Sequence, residues 1–378
     1  MKVPVLCVLA TFSASVAFSG SGKPEFYPAD TTHWNLYGDV KTGIFEGRPA
    51  FSLRGMAELK DVEMRDGVLD VDVYTERRRT FFGFDFRIDS ANFEELYLRT
   101  HKTGLPDAIQ YTPVLNTGRN WQLFNGPGFT GGMNIPVDTW FHLRLVVTGA
   151  QAKLYAGDTT TPVLVMSDLK SGVQKGGIAL MALGGPAYFS NFSFTPTADV
   201  PWVRHLTPML PNTITKWSLS PSYDALARDV ERPLGEQEAD TMRWENAEAE
   251  PPGIVLIQRY RDAPHPVVTY QTDFSTRLQP QPGTRVVYAR TVITADRDQV
   301  RKLCFGYSDE VTLFLNGKPL FRGRSSQSFR DPGFLGIVSA DNDAVYLPLK
   351  KGKNELMLAV SELGGGWGFI CCWGDSKP

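Results

Sequence analysis

The segment Thr80–Ile88 constrains the fold most, because its apolar and polar residues alternate. Large apolar side chains take every second position between small or charged ones: Phe82, Gly83, Phe84, Asp85, Phe86, Arg87 and Ile88. A period of two places all the apolar side chains on one face of a β-strand, whereas a helix would scatter them around its axis. The segment therefore predicts a strand with one buried face and one polar face.

Further β-strands are predicted along the whole chain. The candidates are Val68–Tyr74, Glu95–His101, Trp140–Thr148, Ile178–Leu183, Tyr188–Phe194, Ile254–Tyr260 and Val286–Ile293. The chain also contains 35 glycines and 26 prolines, and 12% of its residues are aromatic, which suits a β protein rich in turns. Evenly spaced strands without alternating helices indicate an antiparallel sandwich or jelly roll.

Two hairpins are predicted near the C-terminus. Val311–Leu315 leads into Asn316-Gly317, and Asn-Gly between two strands is a strong hairpin signal because both turn residues adopt positive φ. A second hairpin is predicted around Lys351–Asn354, because apolar residues alternate both before and after it.

Prolines divide the chain into two parts. Pro201, Pro208 and Pro211 punctuate a segment that cannot lie in a central strand. We therefore expect an all-β protein with two β-sandwich or jelly-roll domains in tandem, over residues 24–197 and 212–375, joined by a linker over 198–211. The length of 378 residues is sufficient for both cores.

The N-terminus predicts export. Residues 1–19 contain one charge, Lys2, followed by a mostly apolar run over Val3–Ala17, and Ala17-Phe18-Ser19 has the small residues of a cleavage site. The expected location is the periplasm, the extracellular space or the cell surface. No other run approaches 18 apolar residues, so we expect no membrane span.

Charge and motifs exclude several classes of function. The chain has 41 acidic and 39 basic residues, and a net charge of −2 argues against nucleic-acid binding. Phosphate-binding, zinc-protease and serine-hydrolase motifs are absent, and the GxGxxG string at Gly126–Gly131 has no helix after it, so no cofactor is expected. The five histidines are scattered, and the sequence specifies no metal ligands.

Three cysteines remain after the predicted signal segment: Cys304, Cys371 and Cys372. In an oxidising compartment Cys304 could pair with either of the other two. The alternative is that all three are buried thiols, and the sequence leaves both readings open.

Four stretches of the first half carry a resemblance to a known family: Asn92–His101, Asp107–Pro113, Trp121–Leu123 and Asp138–Leu145. They resemble the concanavalin A-like (LamG/laminarinase-type) jelly roll of exported bacterial proteins. The second half resembles the galactose-binding-like β-sandwich that accompanies many glycoside hydrolases, at Gly306–Asp309, Leu315–Lys318 and Lys351–Leu356. Both resemblances imply a fold that hosts binders and enzymes alike. The catalytic ExDxxE motif of laminarinase-type enzymes is absent.

The strongest candidate site is the strand predicted over Glu95–His101. Because side chains alternate, Leu96 and Leu98 should face the core while an acid, an aromatic ring, a guanidinium and an imidazole face the other way. A groove lined in this way could bind sugars by stacking and by planar hydrogen-bond donors. The ligand-binding residues are predicted to be Glu95, Tyr97, Arg99, His101, Gln110, Tyr111, Asn116, Trp121 and Gln122. The alternative is an ordinary strand facing solvent, with charge pairs to its neighbours.

These observations predict an exported protein that binds a carbohydrate ligand without catalysis of its own, and no catalytic residue is assigned. One alternative is a glycan-acting hydrolase or lyase, similar to 3-keto-disaccharide hydrolases, with its active site in the N-terminal groove around Glu95, Arg99 and His101. A second alternative is a structural module of the cell envelope that binds protein.

Overall fold

The computed structural model describes residues 22–157, 160–262 and 283–374. These residues form 24 β-strands and one short α-helix, so the predicted all-β class is confirmed. Within the three described ranges, no helix is long and apolar enough to span a membrane. The predicted signal segment lies outside the described residues.

The first half of the chain is a sandwich made by one continuous set of paired strands. Its strands are β1 (Glu25–Phe26), β2 (Trp34–Phe45), β3 (Arg48–Leu59), β4 (Gly67–Thr75), β5 (Phe81–Asp89), β6 (Asn92–Arg99), β7 (Ile109–Leu115), β8 (Gly118–Arg119), β9 (Thr130–Gly131), β10 (Trp140–Thr148), β11 (Gln151–Ala156), β12 (Leu164–Met166) and β13 (Gly177–Pro196). They pair in the order β12-β11-β10-β4-β13-β5-β6-β7-β8, with β3 also on β13 and β2 on β3. A 3-10 turn over Thr100–Lys102 follows β6.

Strand β13 connects the two layers of this sandwich. Its first part, from Gly177 to Leu183, pairs with β5, and its second part, from Ala187 to Pro196, pairs with β4. The sequence analysis treated these parts as two strands. Gly184, with a φ of 84°, lies at the irregularity between them, and there the strand shifts from one layer to the other without ending.

Alternating apolar residues build the core between the layers. Phe82, Phe84 and Phe86 of β5 are fully buried, and so are the apolar residues of β4 and β10 that face them. The β2–β3 hairpin, which the sequence analysis did not predict, adds Trp34 and Phe51 to this core, with their ring centroids 5.5 Å apart.

The second half of the chain forms two sheets that face each other. Its elements are β14 (Lys216–Leu219), β15 (Tyr223–Asp224), α1 (Glu236–Thr241), β16 (Glu245–Glu248), β17 (Ile254–Leu256), a 3-10 turn (Ile257–Arg259), β18 (Arg285–Ala295), β19 (Gln299–Ser308), β20 (Glu310–Leu315), β21 (Lys318–Arg324), β22 (Asp343–Leu349), β23 (Gly352–Ser361) and β24 (Gly368–Trp373). One sheet has the order β16-β14-β18-β23-β20-β21, with β15 also on β18, and the other has the order β17-β24-β19-β22.

The structure confirms one of the two predicted hairpins. Asn316 and Gly317 join β20 to β21 with φ values of 50° and 72°. The hairpin predicted around Lys351–Asn354 is wrong, because β22 pairs with β19 while β23 pairs with β18 and β20 in the other sheet. Both strands bury leucines in the same core from opposite sides, and alternation alone does not distinguish this arrangement from a hairpin.

The sheet containing β24 lies between two hydrophobic cores. Ile254, Ile370 and Cys372 pack with the core of the first half, whereas Phe369 and Cys371 point into the core of the second half. The strands divide between residues 25–196 and 216–373, and none lies in the expected linker over 198–211. The exact domain boundaries stay a prediction.

Candidate functional site

The outward surface of β5, β6 and β7 carries four of the nine residues that were predicted to line a groove: Glu95, Tyr97, Arg99 and Gln110. We call this surface the polar face, and its members are Asp85, Glu95, Tyr97, Arg99, Gln110 and Thr112. Leu96 and Leu98, which alternate with these residues on β6, are fully buried in the core, so the predicted orientation of the strand is confirmed. Antiparallel pairing brings Glu95 beside Asp85 and Tyr97 beside Gln110.

The polar face is enclosed. Glu95 and Gln110 have 0% of their surface exposed, Arg99 has 5% and Tyr97 has 6%. An ordinary solvent-facing strand would expose such polar residues, so that interpretation does not describe β6. An open groove would also expose them more, so a ligand can reach this face only where its covering side chains end.

One end of the polar face holds a pair of buried carboxyl groups. Asp85 lies directly opposite Glu95, and Arg119 donates from its Nε to both Glu95 oxygens at 2.9 and 2.7 Å. Burial and the charge of Glu95 raise the pKa of Asp85 well above its ordinary value. The two carboxyl groups are in hydrogen-bonding contact, which favours the protonated form of Asp85, and Glu95 is paired with the Arg119 guanidinium.

At the other end of the polar face, Arg99 is surrounded by acceptors and an aromatic ring. Its Nη2 donates to Gln110 Oε1 at 3.3 Å and lies 3.5 Å from Asp107 Oδ2. Its guanidinium carbon is 5.7 Å from the centroid of the Tyr97 ring. Arg99 Nε is buried and has no hydrogen-bond partner among the described residues, so a ligand could satisfy this donor only by displacing the side chains around it.

His101 does not extend the row along the strand, which corrects one expectation. Strand β6 ends at Arg99, and His101 lies in the 3-10 turn that follows. Its ring contacts Phe81 edge to face, with centroids 5.0 Å apart. Loss of water around the packed ring and the positive charges of Arg79 and Arg99 lower the pKa of His101 to about 4, so the imidazole is neutral at pH 7.

Tyr111 lies on the wrong side of the sheet for the predicted site. It follows Gln110 directly on β7, and neighbouring residues of a strand point to opposite faces. Its hydroxyl donates to Glu94 Oε2 at 2.7 Å inside the sandwich and accepts from the backbone N–H of Lys170 at 2.6 Å. Gln110 and Tyr111 therefore cannot contact one ligand, and Tyr111 is a core residue.

Asn116, Trp121 and Gln122 lie away from the polar face, at or near the contact with the second half of the chain. Asn116 Nδ2 donates to the carbonyl of Gln258 at 2.9 Å. Gln122 donates from Nε2 to the carbonyl of Leu335 at 3.0 Å and accepts from the hydroxyl of Ser308 at 2.9 Å. Trp121 is half-buried in the turn after β8. Asn116 and Gln122 therefore connect the two halves of the chain through these hydrogen bonds.

Asp85 and Arg119 also belong to the candidate site, although the sequence pattern did not indicate them. Asp85 lies in the alternating segment Thr80–Ile88, and the alternation places it on the same face as Gly83. The orientation of its side chain could therefore be predicted from the sequence. Its position opposite Glu95 depends on the register between β5 and β6, which includes a shift between Phe86 and Asp89. Arg119 reaches Glu95 because β8 folds back onto β7.

A second group of buried acids lies where loops of the second half meet Gln122. Asp309 Oδ2 accepts from the backbone N–H groups of Leu363 and Gly364 at 2.6 and 2.9 Å. Glu362 Oε1 accepts from the N–H of Gly366 at 3.0 Å. Burial raises the pKa of each carboxyl group to about 8.

Neither group of acids forms a recognisable metal site. Among the residues that the structure describes, no set of three His, Cys, Asp or Glu side chains is arranged to hold a metal ion. The sequence likewise specified no metal ligands.

No known sequence family and no curated protein matches the chain. Solved structures with a similar arrangement include a carbohydrate binding module, CBM66, from Bacillus subtilis (18% identity, TM-score 0.34, covering 42% of this chain and 93% of that one). A protein of unknown function with a galectin-like fold, also from Bacillus subtilis, has 12% identity and a TM-score of 0.36, covering 48% of this chain and 99% of that one. A putative glycosyl hydrolase from Parabacteroides distasonis has 14% identity and a TM-score of 0.32, covering 45% and 91%. Similarity at this level does not establish a shared function.

Proposed function

We propose that the protein is exported and binds carbohydrate through the polar face, without catalysis of its own. The observation that supports this most is the arrangement of Tyr97, Arg99 and Gln110, an aromatic ring beside a guanidinium and an amide. Sugars offer C–H faces that stack on aromatic rings and hydroxyl groups that accept from planar donors. The unpartnered Nε of Arg99 is a donor of this kind.

The ligand should enter at the His101 end of the polar face. Phe81 is half-buried and His101 lies on an exposed turn, so this end borders solvent. The opposite end is closed by Arg119 over Glu95. Because the imidazole of His101 is neutral at pH 7, it can both donate and accept a hydrogen bond, which suits a hydroxyl-rich ligand.

The carboxyl pair argues for binding over hydrolysis. In glycosidases the two carboxyl groups flank the scissile bond and are about 5–9.5 Å apart. Asp85 and Glu95 are instead in hydrogen-bonding contact, so a glycosidic bond does not fit between them.

One observation nevertheless favours the hydrolase as a second candidate. The raised pKa of Asp85 favours the protonated form that a general acid requires, and Glu95 beside it is paired with Arg119. Such an enzyme would require Arg119 to move and the two carboxyl groups to separate when substrate binds.

A glycan array and a hydrolysis assay on the full chain distinguish these functions. A binder retains glycans and releases no sugar, whereas a hydrolase releases reducing sugar and loses that activity in Asp85→Asn. A folded protein that neither retains nor cleaves any glycan would contradict the proposal and favour the structural cell-envelope module.

A further inference from the structure

The three cysteines of the second half lie on two neighbouring strands. Cys304 is on β19, and Cys371 and Cys372 are on β24; all three are free thiols in this structure. The register of these strands places Cys304 directly opposite Cys372, and Phe305 opposite Cys371. The sequence left open which cysteine could pair with Cys304, and the register of the strands favours Cys372.

The hydrogen bonds between β19 and β24 define the spacing of this pair. The N–H of Gly374 donates to the carbonyl of Lys302 at 2.9 Å, so Lys302 and Gly374 are a hydrogen-bonded pair. Two residues further along each strand, Cys304 and Cys372 are a pair of the same kind. The Cα atoms of such pairs are about 5.5 Å apart, which lies within the range of about 4.4–6.8 Å found in disulfides.

Cys371 is oriented away from this pair. Adjacent residues of a strand point to opposite faces, and Cys371 is 1% exposed in the core of the second half, together with Phe305 and Phe369. Burial also raises the pKa of the Cys371 thiol well above its ordinary value, which keeps it protonated. A bond from Cys371 to either other cysteine would require β24 to leave its register.

Cys304 is the more accessible member of the facing pair. It is half-buried, whereas Cys372 is 6% exposed, and the Sγ of Cys372 lies 3.5 Å from the hydroxyl of Thr213. A Cβ atom on Gly374 would lie 2.9 Å from the Sγ of Cys304, so this sulfur packs closely against the glycine. An external reagent therefore reaches Cys304 first.

We propose that Cys304 and Cys372 form a disulfide across β19 and β24 when the protein meets an oxidising thiol–disulfide couple. Cys304 loses its proton to solvent, and its thiolate attacks one sulfur of an external disulfide, such as oxidised glutathione, and expels one thiolate. Cys372 then loses its proton, attacks the Cys304 sulfur and expels the second thiolate. The external disulfide gains two electrons, and the protein loses two thiol protons.

This bond would fasten the last strand of the described fold to its neighbour. Cys372 packs with the core of the first half, and β24 also pairs with β17, so the strand joins three parts of the molecule. The loop closed by the bond contains β20, β21, β22 and β23, and a cross-link over a long loop restricts the unfolded chain strongly. The inference is independent of carbohydrate binding, because these residues are remote in the sheet order from the polar face.

Peptide mapping of the full chain tests the pairing. The protein is equilibrated with oxidised glutathione, its free thiols are alkylated, and it is digested with trypsin without reduction. Cys304 falls in the tryptic peptide 303–322 and both Cys371 and Cys372 fall in 354–378, whereas Cys7 falls in a separate peptide near the N-terminus. Because Cys371 and Cys372 share one peptide, the variants Cys371→Ser and Cys372→Ser are mapped alongside the wild type.

We expect the two peptides to be linked, with the mass of two hydrogens lost, in the wild type and in Cys371→Ser. The link should be absent in Cys304→Ser, and a reductant should lower the melting temperature of the oxidised wild type by several degrees but not that of Cys304→Ser. Because Cys304 is only half-buried, Cys304→Ser should keep its fold even if Cys372→Ser does not. Loss of the link in Cys371→Ser, a bond between Cys371 and Cys372, or three alkylated thiols after equilibration would each overturn the proposal.

Discussion

At the scale of single residues, Leu98 and Arg99 show how one strand serves both stability and recognition. Leu98 is fully buried among the core residues of the first half, and Arg99 points to the polar face. Leu98→Ala should lower the free energy of unfolding by about 2–5 kcal/mol because it leaves a cavity. Arg99→Ala leaves no cavity in this core but removes a buried hydrogen bond to Gln110 and the contact with Asp107, so it should cost about 1–3 kcal/mol. Urea denaturation of both variants measures the difference. If Arg99→Ala unfolds the protein while Leu98→Ala is tolerated, the assigned orientation of β6 is inverted.

Asp85 should make stability depend on pH. Its pKa is raised in the folded state, so its contribution is complete below the ordinary value of 3.8 and is lost as pH rises through the raised value. The amide side chain of the Asp85→Asn variant cannot ionise. The free energy of unfolding of the variant minus that of the wild type should therefore be larger at pH 9 than at pH 5. Denaturation at the two pH values measures this change. Parallel pH profiles for the two proteins would contradict the buried, protonated state of Asp85.

At the scale of elements, the β20–β21 turn depends on a residue that tolerates positive φ. Gly317 has a φ of 72°, and a β-branched side chain is strained in that conformation. Gly317→Val should therefore destabilise the second sandwich by about 1–3 kcal/mol, measured as a lower melting temperature. Gly317→Asn is the matched control, because asparagine adopts positive φ more readily and should retain most of the stability. Equal melting temperatures for wild type and Gly317→Val would refute this turn.

The elements that the sequence predicted are those determined by local alternation and turn chemistry. The alternating phenylalanines of β5 and the Asn316-Gly317 turn are of this kind. The partner of a strand is different, because β22 and β23 both alternate yet belong to different sheets. The orientation of Glu95, Tyr97 and Arg99 on the candidate site followed from alternation. Their enclosure did not, because it depends on Arg119 and on loops distant in sequence.

At the scale of the whole molecule, contacts between the two halves account for the predicted site residues that lie elsewhere. Gln122 is far in sequence from Leu335 and Ser308, but it bonds both of them. No local pattern reveals such partners, so Asn116 and Gln122 read as free polar residues in the sequence. Once the halves are packed, these amides satisfy buried groups at the junction and are not free for a ligand.

The buried acids at this junction should weaken the protein at alkaline pH. Asp309 and Glu362 each have a pKa of about 8, so the stability that their protonated forms provide is lost as pH rises from their ordinary range through about 8. Glu362→Gln should show a smaller loss of stability between pH 6 and pH 9 than the wild type. The exposed Asp240→Asn should behave as the wild type does. An unchanged pH dependence in Glu362→Gln would contradict burial of a protonated acid there.

Binding of a glycan by matched arginine variants tests recognition at the polar face most directly. The polysaccharide most strongly retained by the wild-type chain on the array is titrated against wild type, Arg99→Ala and Arg232→Ala, whose side chain is 83% exposed in the second half. We expect Arg99→Ala to weaken binding by roughly 1–3 kcal/mol, because a charge-assisted hydrogen bond is lost, and Arg232→Ala to bind as the wild type does. Full-strength binding by a folded Arg99→Ala, or no retained glycan at all, would contradict carbohydrate recognition by this face.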